Sequence, residues 1–283
     1  MRAPAVVRSI IFTALAALGL ARAGAQATGA GSTGGALFRP LLADPKEPQF
    51  FAAYLWERSP RLAPRLGSVG FGQTIGVVDA HPWQVAIAAA VFSQFNLSRP
   101  SADLMNTDYR VGLPITYQRA GLTTRLQLYH QSSHLGDEYM VHANAQRIDL
   151  TFEAAELLVS QQLAAWRVYG GGEYVFTRSP ADLKPGVLHG GVEYRQPGVL
   201  VHVGRVATGR VVAALDAKSL QDRGWKNVGW SAVTGLELGD PLARADAGWR
   251  WSLLLRAYTG PAPYGEFFRD RVASLGVGLG LAL

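Results

Sequence analysis

Polar and apolar residues alternate one by one along most of the chain beyond its first fifty positions. In Met105–Tyr117 the odd positions are Met105, Thr107, Tyr109, Val111, Leu113, Ile115 and Tyr117; the even ones are Asn106, Asp108, Arg110, Gly112, Pro114 and Thr116. Strand side chains point to opposite faces with a period of two. The stretch therefore predicts a strand with one apolar, aromatic-tipped face and one face that is polar, charged or tiny. Pro114 cannot donate to a ladder and predicts a bulge or a strand end there. Trp249–Tyr258 repeats the scheme, with Trp249, Trp251, Leu253, Leu255 and Ala257 opposite Arg250, Ser252, Leu254, Arg256 and Tyr258. At the end of the chain Leu275, Val277, Leu279, Leu281 and Leu283 alternate with Ser274, Gly276, Gly278, Gly280 and Ala282.

A water-soluble sandwich turns its polar face to solvent and packs bulky residues inside. Here the second face is glycine plus isolated charges of both signs. That is the lipid-out, polar-in code of an outer-membrane barrel. The fold expected is all-β, an antiparallel transmembrane β-barrel of about 12 strands, at 49–56, 68–78, 83–95, 104–118, 122–133, 147–160, 165–177, 186–195, 210–219, 227–238, 249–258 and 271–283. Connectors alternate between short (Asp79–Pro82, Arg119–Gly121, Gln161–Ala164) and longer (Asn96–Asp103, Leu135–Gln146, Thr177–Pro185, Leu220–Lys226, Thr259–Arg269). Such barrels have short periplasmic turns and longer outer loops. Gln196–Gly209 is long where a short turn belongs, which leaves fourteen strands open. Trp56, Trp83, Trp166, Trp225, Trp230, Trp249 and Trp251 mostly fall near strand ends, as an interfacial girdle does; ordinary core tryptophans are the alternative.

The first residues read differently. Arg2 and Arg8 precede the apolar run Ser9–Leu20, and Ala25-Gln26-Ala27 is a small-x-small cleavage signal. Residues 1–27 thus read as a secretory signal peptide, 28–48 as a leader and periplasmic lead-in, and 49–283 as one barrel domain. The chain has 27 Lys+Arg and 21 Asp+Glu. Losing Arg2, Arg8 and Arg22 with the signal leaves 24 against 21. With no basic run and no binding motif, nucleic acid is not a partner. There is no Cys, so the folded chain relies on burial and backbone pairing.

Asp108, Arg110, Arg125, Asp149, Glu153, Arg167, Glu173, Glu193, Arg195, Asp216, Lys218, Glu237, Arg250 and Arg256 are assigned to the lumen. Their signs nearly balance. Balanced charges in a narrow lumen pair with one another, which favours a salt-bridged plug over a pore with one dominant sign.

Reactive side chains are densest in His130–Glu138, HQSSHLGDE. Leu126 and Leu128 belong against lipid and Arg125 and Gln127 inside, so His130 and Ser132 project outward at the rim. Polar groups facing lipid are costly unless functional. A histidine beside a serine can take its proton, which an otherwise weak hydroxyl nucleophile needs. A third group orients the imidazole; Asn144, Asp137 and Glu138 are the candidates. Asn144 lies just before the returning strand, which brings it toward His130. The bond cleaved would be an acyl ester of a lipid against the wall. The plainer reading is that His134, Asp137 and Glu138 tie down the following loop or hold a divalent cation that bridges lipopolysaccharide. No Gly-x-Ser-x-Gly, His-Glu-x-x-His or phosphate-binding Gly loop is present.

Phe38–Pro45, Asn106–Tyr117, HQSSHLGDE, Arg167–Tyr174 and Leu215–Ser219 resemble the bacterial family called domain of unknown function 1207 over nearly the whole mature chain. That resemblance implies a Gram-negative, secreted, outer-membrane protein. His130-Gln131-Ser132 is also similar to the His-Gln-Ser of outer-membrane phospholipase A, a twelve-stranded barrel with a membrane-facing site. That family's third member, an Asn twelve residues past the Ser, falls on Asn144. Lipid A deacylases use a similar His-x-Ser with a Glu as third member. The phospholipase continues Asn-Gly where this chain has Ser133-His134, and Leu135 and Met140 stand where it binds calcium. These likenesses imply His130 as base, Ser132 as nucleophile and Asn144 as orienter. Asp137 and Glu138 are candidate ligands for a divalent cation such as calcium. The implied partners are outer-membrane lipids, lipopolysaccharide and the barrel assembly machinery. The competing expectation is a non-enzymatic structural or transport barrel with a plugged lumen.

Overall fold

Within a bilayer every backbone amide must find a partner in the protein, so an alternating run is stable there only as part of a closed sheet. The computed structural model, described for residues 35–204, 207–239 and 249–282, closes such a sheet. Its strands are β1 (Phe50–Arg58), β2 (Arg65–Ala80), β3 (Trp83–Asn96), β4 (Asp103–Arg119), β5 (Leu122–Leu135), β6 (Thr151–Leu163), β7 (Trp166–Ser179), β8 (Gly186–Arg195), β9 (Val201–Val203), β10 (Ala207–Leu220), β11 (Val228–Gly239), β12 (Arg250–Pro261) and β13 (Arg271–Ala282). All pairings are antiparallel between neighbours, and β1 meets β13 from Phe50↔Leu281 to Arg58↔Ala273. Twelve long strands form the wall. The ninth, three residues long, lies along β10 as Ala207↔Val203. The stretch 196–209 thus adds one short strand, not the two that fourteen would need.

The alternation is obeyed. Ile75, Ile115, Leu126, Leu128, Leu157, Leu253, Leu255, Leu275 and Leu279 are exposed on the outside, while Asp108, Arg125, Gln127, Glu156, Glu193 and Asp216 are buried. Pro114 neither ends β4 nor bulges it. It pairs with Gln127 on β5, and its missing amide leaves a gap in the ladder with β3, between Val85↔Ile115 and Ala88↔Gly112. Aromatic rings mark both rims. Trp83 stacks with Tyr117 (4.8 Å between centroids) and Trp166 with Tyr194 (4.9 Å) at the short-turn end, and Trp56 meets Tyr54 (5.1 Å) at the long-loop end.

Residues 35–48, the described part of the lead-in, do not lie below the barrel, where they were expected; the expected signal peptide and leader at 1–34 lie outside the described residues. The segment enters the lumen, turns near Pro45 and returns to β1 at the mouth where it entered. Phe38, Leu41, Ala43, Asp44 and Glu47 are all buried. The reason is chemical: the inward strand faces carry charges that need partners, and this segment supplies them. Arg125 donates to both oxygens of Glu47 (2.7 and 3.2 Å) and to Glu156 (2.8 Å). Lys218 holds Asp44 at 2.8 Å, and Lys46 pairs with Asp108. The Phe38 ring lies between the guanidiniums of Arg125 (4.4 Å) and Arg167 (4.6 Å), a doubled cation–π contact. The plug is therefore built by chain and wall together. At the other end the loops close over it: Leu62, Met105, Leu135, Tyr139, Phe267 and Val272 form one buried cluster.

Candidate functional site

Strand β5 keeps the expected phase. Tyr129, Gln131 and Ser133 are buried within the barrel, while Leu126 and Leu128 are exposed and His130 and Ser132 half-buried on the outer face. His130 follows Leu128 on that face, so it sits at the long-loop edge of the apolar belt. Across the sheet Val111 and Glu153 flank His130, and Tyr109 and Thr151 flank Ser132.

The third group is where the structure departs from expectation. Asn144 does not return beside His130. A short helix, α1 (Asp137–Ala143), rises after β5, and Asn144 caps its C-terminus in the left-handed conformation, exposed. The chain then runs on to Thr151 before β6 begins, so the residue opposite His130 is Glu153. His130 Nδ1 lies 3.3 Å from Glu153 Oε1, with the side chains 35% and 15% exposed. Glu153 was assigned to the lumen; it is on the outer face. Leu157 and Val159, exposed two and three turns of alternation further along β6, set that phase and carry Glu153 outward with them. Asp149, also assigned to the lumen, lies before β6, exposed, with a positive φ of 57°. One residue further, the register of β6 with β7 slips: Glu153 pairs with Thr177 and Ala154 with Val175, leaving Phe176 unpaired.

His134 extends the row. Its Nδ1 is 2.8 Å from Arg147 Nη2, and its ring packs on Tyr109 at 5.8 Å. An exposed cationic side chain therefore stands beside the row that carries Ser132. Among the described residues no hydrogen bond joins Ser132 to His130. They are two residues apart on one face, with Cα atoms roughly 7 Å apart. Catalytic hydrogen bonds often tighten only around substrate.

The candidate cation ligands go elsewhere. Glu138 accepts the Leu104 amide at 3.1 Å, tying α1 to β4, and Asp137 is exposed in the first turn of α1. Among the described residues no three His, Asp or Glu side chains gather as a metal-binding set. Leu135 is buried in the loop cluster with Met140 packed against it. Neither has an oxygen to offer a hard cation from its side chain.

Known proteins give two likenesses. A family model described as "Protein of unknown function (DUF1207)" matches residues 15–282. The chain belongs to that family. Among solved structures, the barrel of this DUF1207 chain is similar to outer membrane phospholipase A from Escherichia coli. That match has 13% identity and a TM-score of 0.56, and covers 87% of this chain and 94% of that one. It is also similar to the Salmonella typhi outer membrane phospholipase dimer with bound calcium, at 14% identity and a TM-score of 0.54, covering 87% and 93%. At such identities the likeness is one of fold: the DUF1207 chain has the closed antiparallel fold of outer-membrane β-barrels, and its apolar belt suits contact with lipid. No curated protein matches the sequence.

Proposed function

We propose that this barrel is a membrane-facing serine acyl hydrolase, acting on ester-linked acyl chains of lipids that lie against its wall. The observation that carries the reading is the His130–Glu153 pair at 3.3 Å on the lipid face, with Ser132 on the same row. Two polar side chains held together at the edge of an apolar belt need a reason, and a serine beside them supplies one.

The roles follow from the chemistry. Glu153 orients the imidazole through Nδ1 and stabilises it once protonated, leaving Nε2 as base. His130 takes the Ser132 proton as Oγ attacks the ester carbonyl, then returns it to the departing alcohol. Water, activated by the same imidazole, releases the fatty acid from the acyl-serine. Arg147, held against His134, supplies charge for a phosphate on the lipid headgroup. Asn144 has no part in this scheme. Neither do Asp137 and Glu138, whose proposed cation-holding role would be confined to the loop and to bridging of lipopolysaccharide. Delivery by a signal peptide and the barrel assembly machinery belongs to the same proposal.

The test is release of fatty acid from phospholipid and from lipopolysaccharide by refolded protein, with and without calcium. Release by the wild-type chain that is lost in Ser132→Ala and in His130→Ala supports the reading. Equal traces from all three overturn it. A non-enzymatic structural barrel is the second reading, favoured by the filled lumen. Among the described residues the plug and the loop cluster occupy the lumen, which favours that structural reading over transport.

A further inference from the structure

A second chemical centre lies at the opposite mouth, inside the ring. Between the plug and the short turns is a cavity of about 760 Å³, reaching from Leu42 and Pro48 to the turn residues Gly121, Ala164 and Gln196. Five arginines line it: Arg39 from the plug, Arg167 from β7, Arg195 from β8, Arg210 from β10 and Arg250 from β12. Among the described residues two carboxylates answer them. Glu193 is shared by Arg39 (3.6 Å), Arg167 (3.4 Å) and Arg195 (3.1 Å). Glu237 is held by Arg210 at 2.6 Å and approached by Arg195 Nε at 3.6 Å.

Among the described residues five guanidiniums therefore face two carboxylates at this mouth. Deeper in the lumen Arg125 is answered by Glu47 and Glu156, Lys218 by Asp44 and Lys46 by Asp108. Two of the mouth's donors are buried without a hydrogen bond. Arg195 Nε, on a side chain 10% exposed, and Arg250 Nη1 make no hydrogen bond to the described residues. Gln73, Thr74, Gln118, Thr123, Ser160 and Ser252 complete a polar lining. Guanidinium forks match the planar and tetrahedral oxyanions, and rings of arginine are what anion-selective sites are built from. The plug closes the inner end, so the cavity is a blind vestibule and not a conduit.

We propose that this vestibule binds a small, multiply charged oxyanion bearing phosphate or carboxylate groups, offered from the short-turn side of the membrane. That side faces the periplasm in barrels of this kind. The site is independent of the outer-face hydrolase.

The test is titration calorimetry of the refolded full chain at low ionic strength, with inorganic pyrophosphate and, separately, citrate. At least one of the two binds with a single saturable isotherm that weakens as salt is added, and the stronger of the two identifies the oxyanion class. Arg250→Gln weakens it about tenfold, the loss of one charged hydrogen bond; Arg210→Gln does at least as much. Arg271→Gln removes the same charge at the opposite mouth and leaves binding unchanged. Arg210→Gln breaks the pair with Glu237 and can disturb folding; Arg250→Gln breaks no ion pair among the described residues, so it keeps the comparison decisive. Binding of neither anion at low salt overturns the proposal. So does a loss in Arg271→Gln equal to that in Arg250→Gln.

Discussion

Arg125→Met asks how the plug is held. The guanidinium is 5% exposed and its two carboxylate partners, Glu47 and Glu156, are 2% each, so water cannot replace the lost charge. Methionine keeps most of the aliphatic stem and its contact with the Phe38 ring, which isolates the electrostatic part. Breaking a buried ion pair from one side costs about 3–5 kcal/mol, because it strands the other charge. Here two carboxylates are stranded, though Glu156 retains His189, whose Nδ1 stands 3.7 Å away. Glu47 has no such second partner among the described residues and should leave the lumen. The unfolding equilibrium then shifts by roughly a hundred- to a few thousand-fold. Urea unfolding in lipid vesicles, followed through the seven tryptophans, measures the loss. Limited proteolysis then finds new cleavage between residues 35 and 49. The double variant with Glu47→Gln recovers part of the loss, since the pair is then removed from both sides. A cost below about 1 kcal/mol, as for an exposed surface pair, with the segment still protected, would refute the argument that charge pairing holds the plug.

Two further outcomes test the wall. A Cβ at Gly171 would stand 1.9 Å from the Leu157 carbonyl oxygen on β6, so Gly171→Val does not form a ring, and its gel mobility loses the heat-dependent shift of a folded barrel. Leu253 is 54% exposed on the lipid face; Leu253→Arg destabilises the barrel by about 2–4 kcal/mol in urea titrations if that position lies near the bilayer midplane, whereas a cost near zero would move the belt elsewhere.

Most of the wall was legible because a period of two leaves little choice. Leu253 and Leu255 must face lipid if Arg250 and Arg256 are to avoid it, and every strand expected is within a few residues of the one found. Charge alone does not set a side chain's direction. Glu153 is a carboxylate, yet Leu157 and Val159 on the same strand fix its phase outward, against the expected lumen position. Asn144 was drawn toward His130 by counting residues across a loop, but counting cannot see that Asp137–Ala143 coils into a helix and uses up the reach. The plug was hidden for a different reason. Phe38–Glu47 has no periodicity, and only the closed ring, with Arg125, Lys218 and Asp108 pointing inward, gives its charges somewhere to go.

The proposed hydrolase requires that Ser132 be activated on the lipid face by His130 and Glu153. Incubation of the folded barrel in lipid with a long-chain sulfonyl fluoride, followed by mass spectrometry of the peptides, tests it most directly, because only an activated serine is modified quickly. The expected result is a single adduct on Ser132, abolished in His130→Ala, strongly reduced in Glu153→Ala and unchanged in Asn144→Ala. Labelling of Ser132 no faster than of the neighbouring Ser133, or a rate untouched by Glu153→Ala and lost in Asn144→Ala, would contradict it.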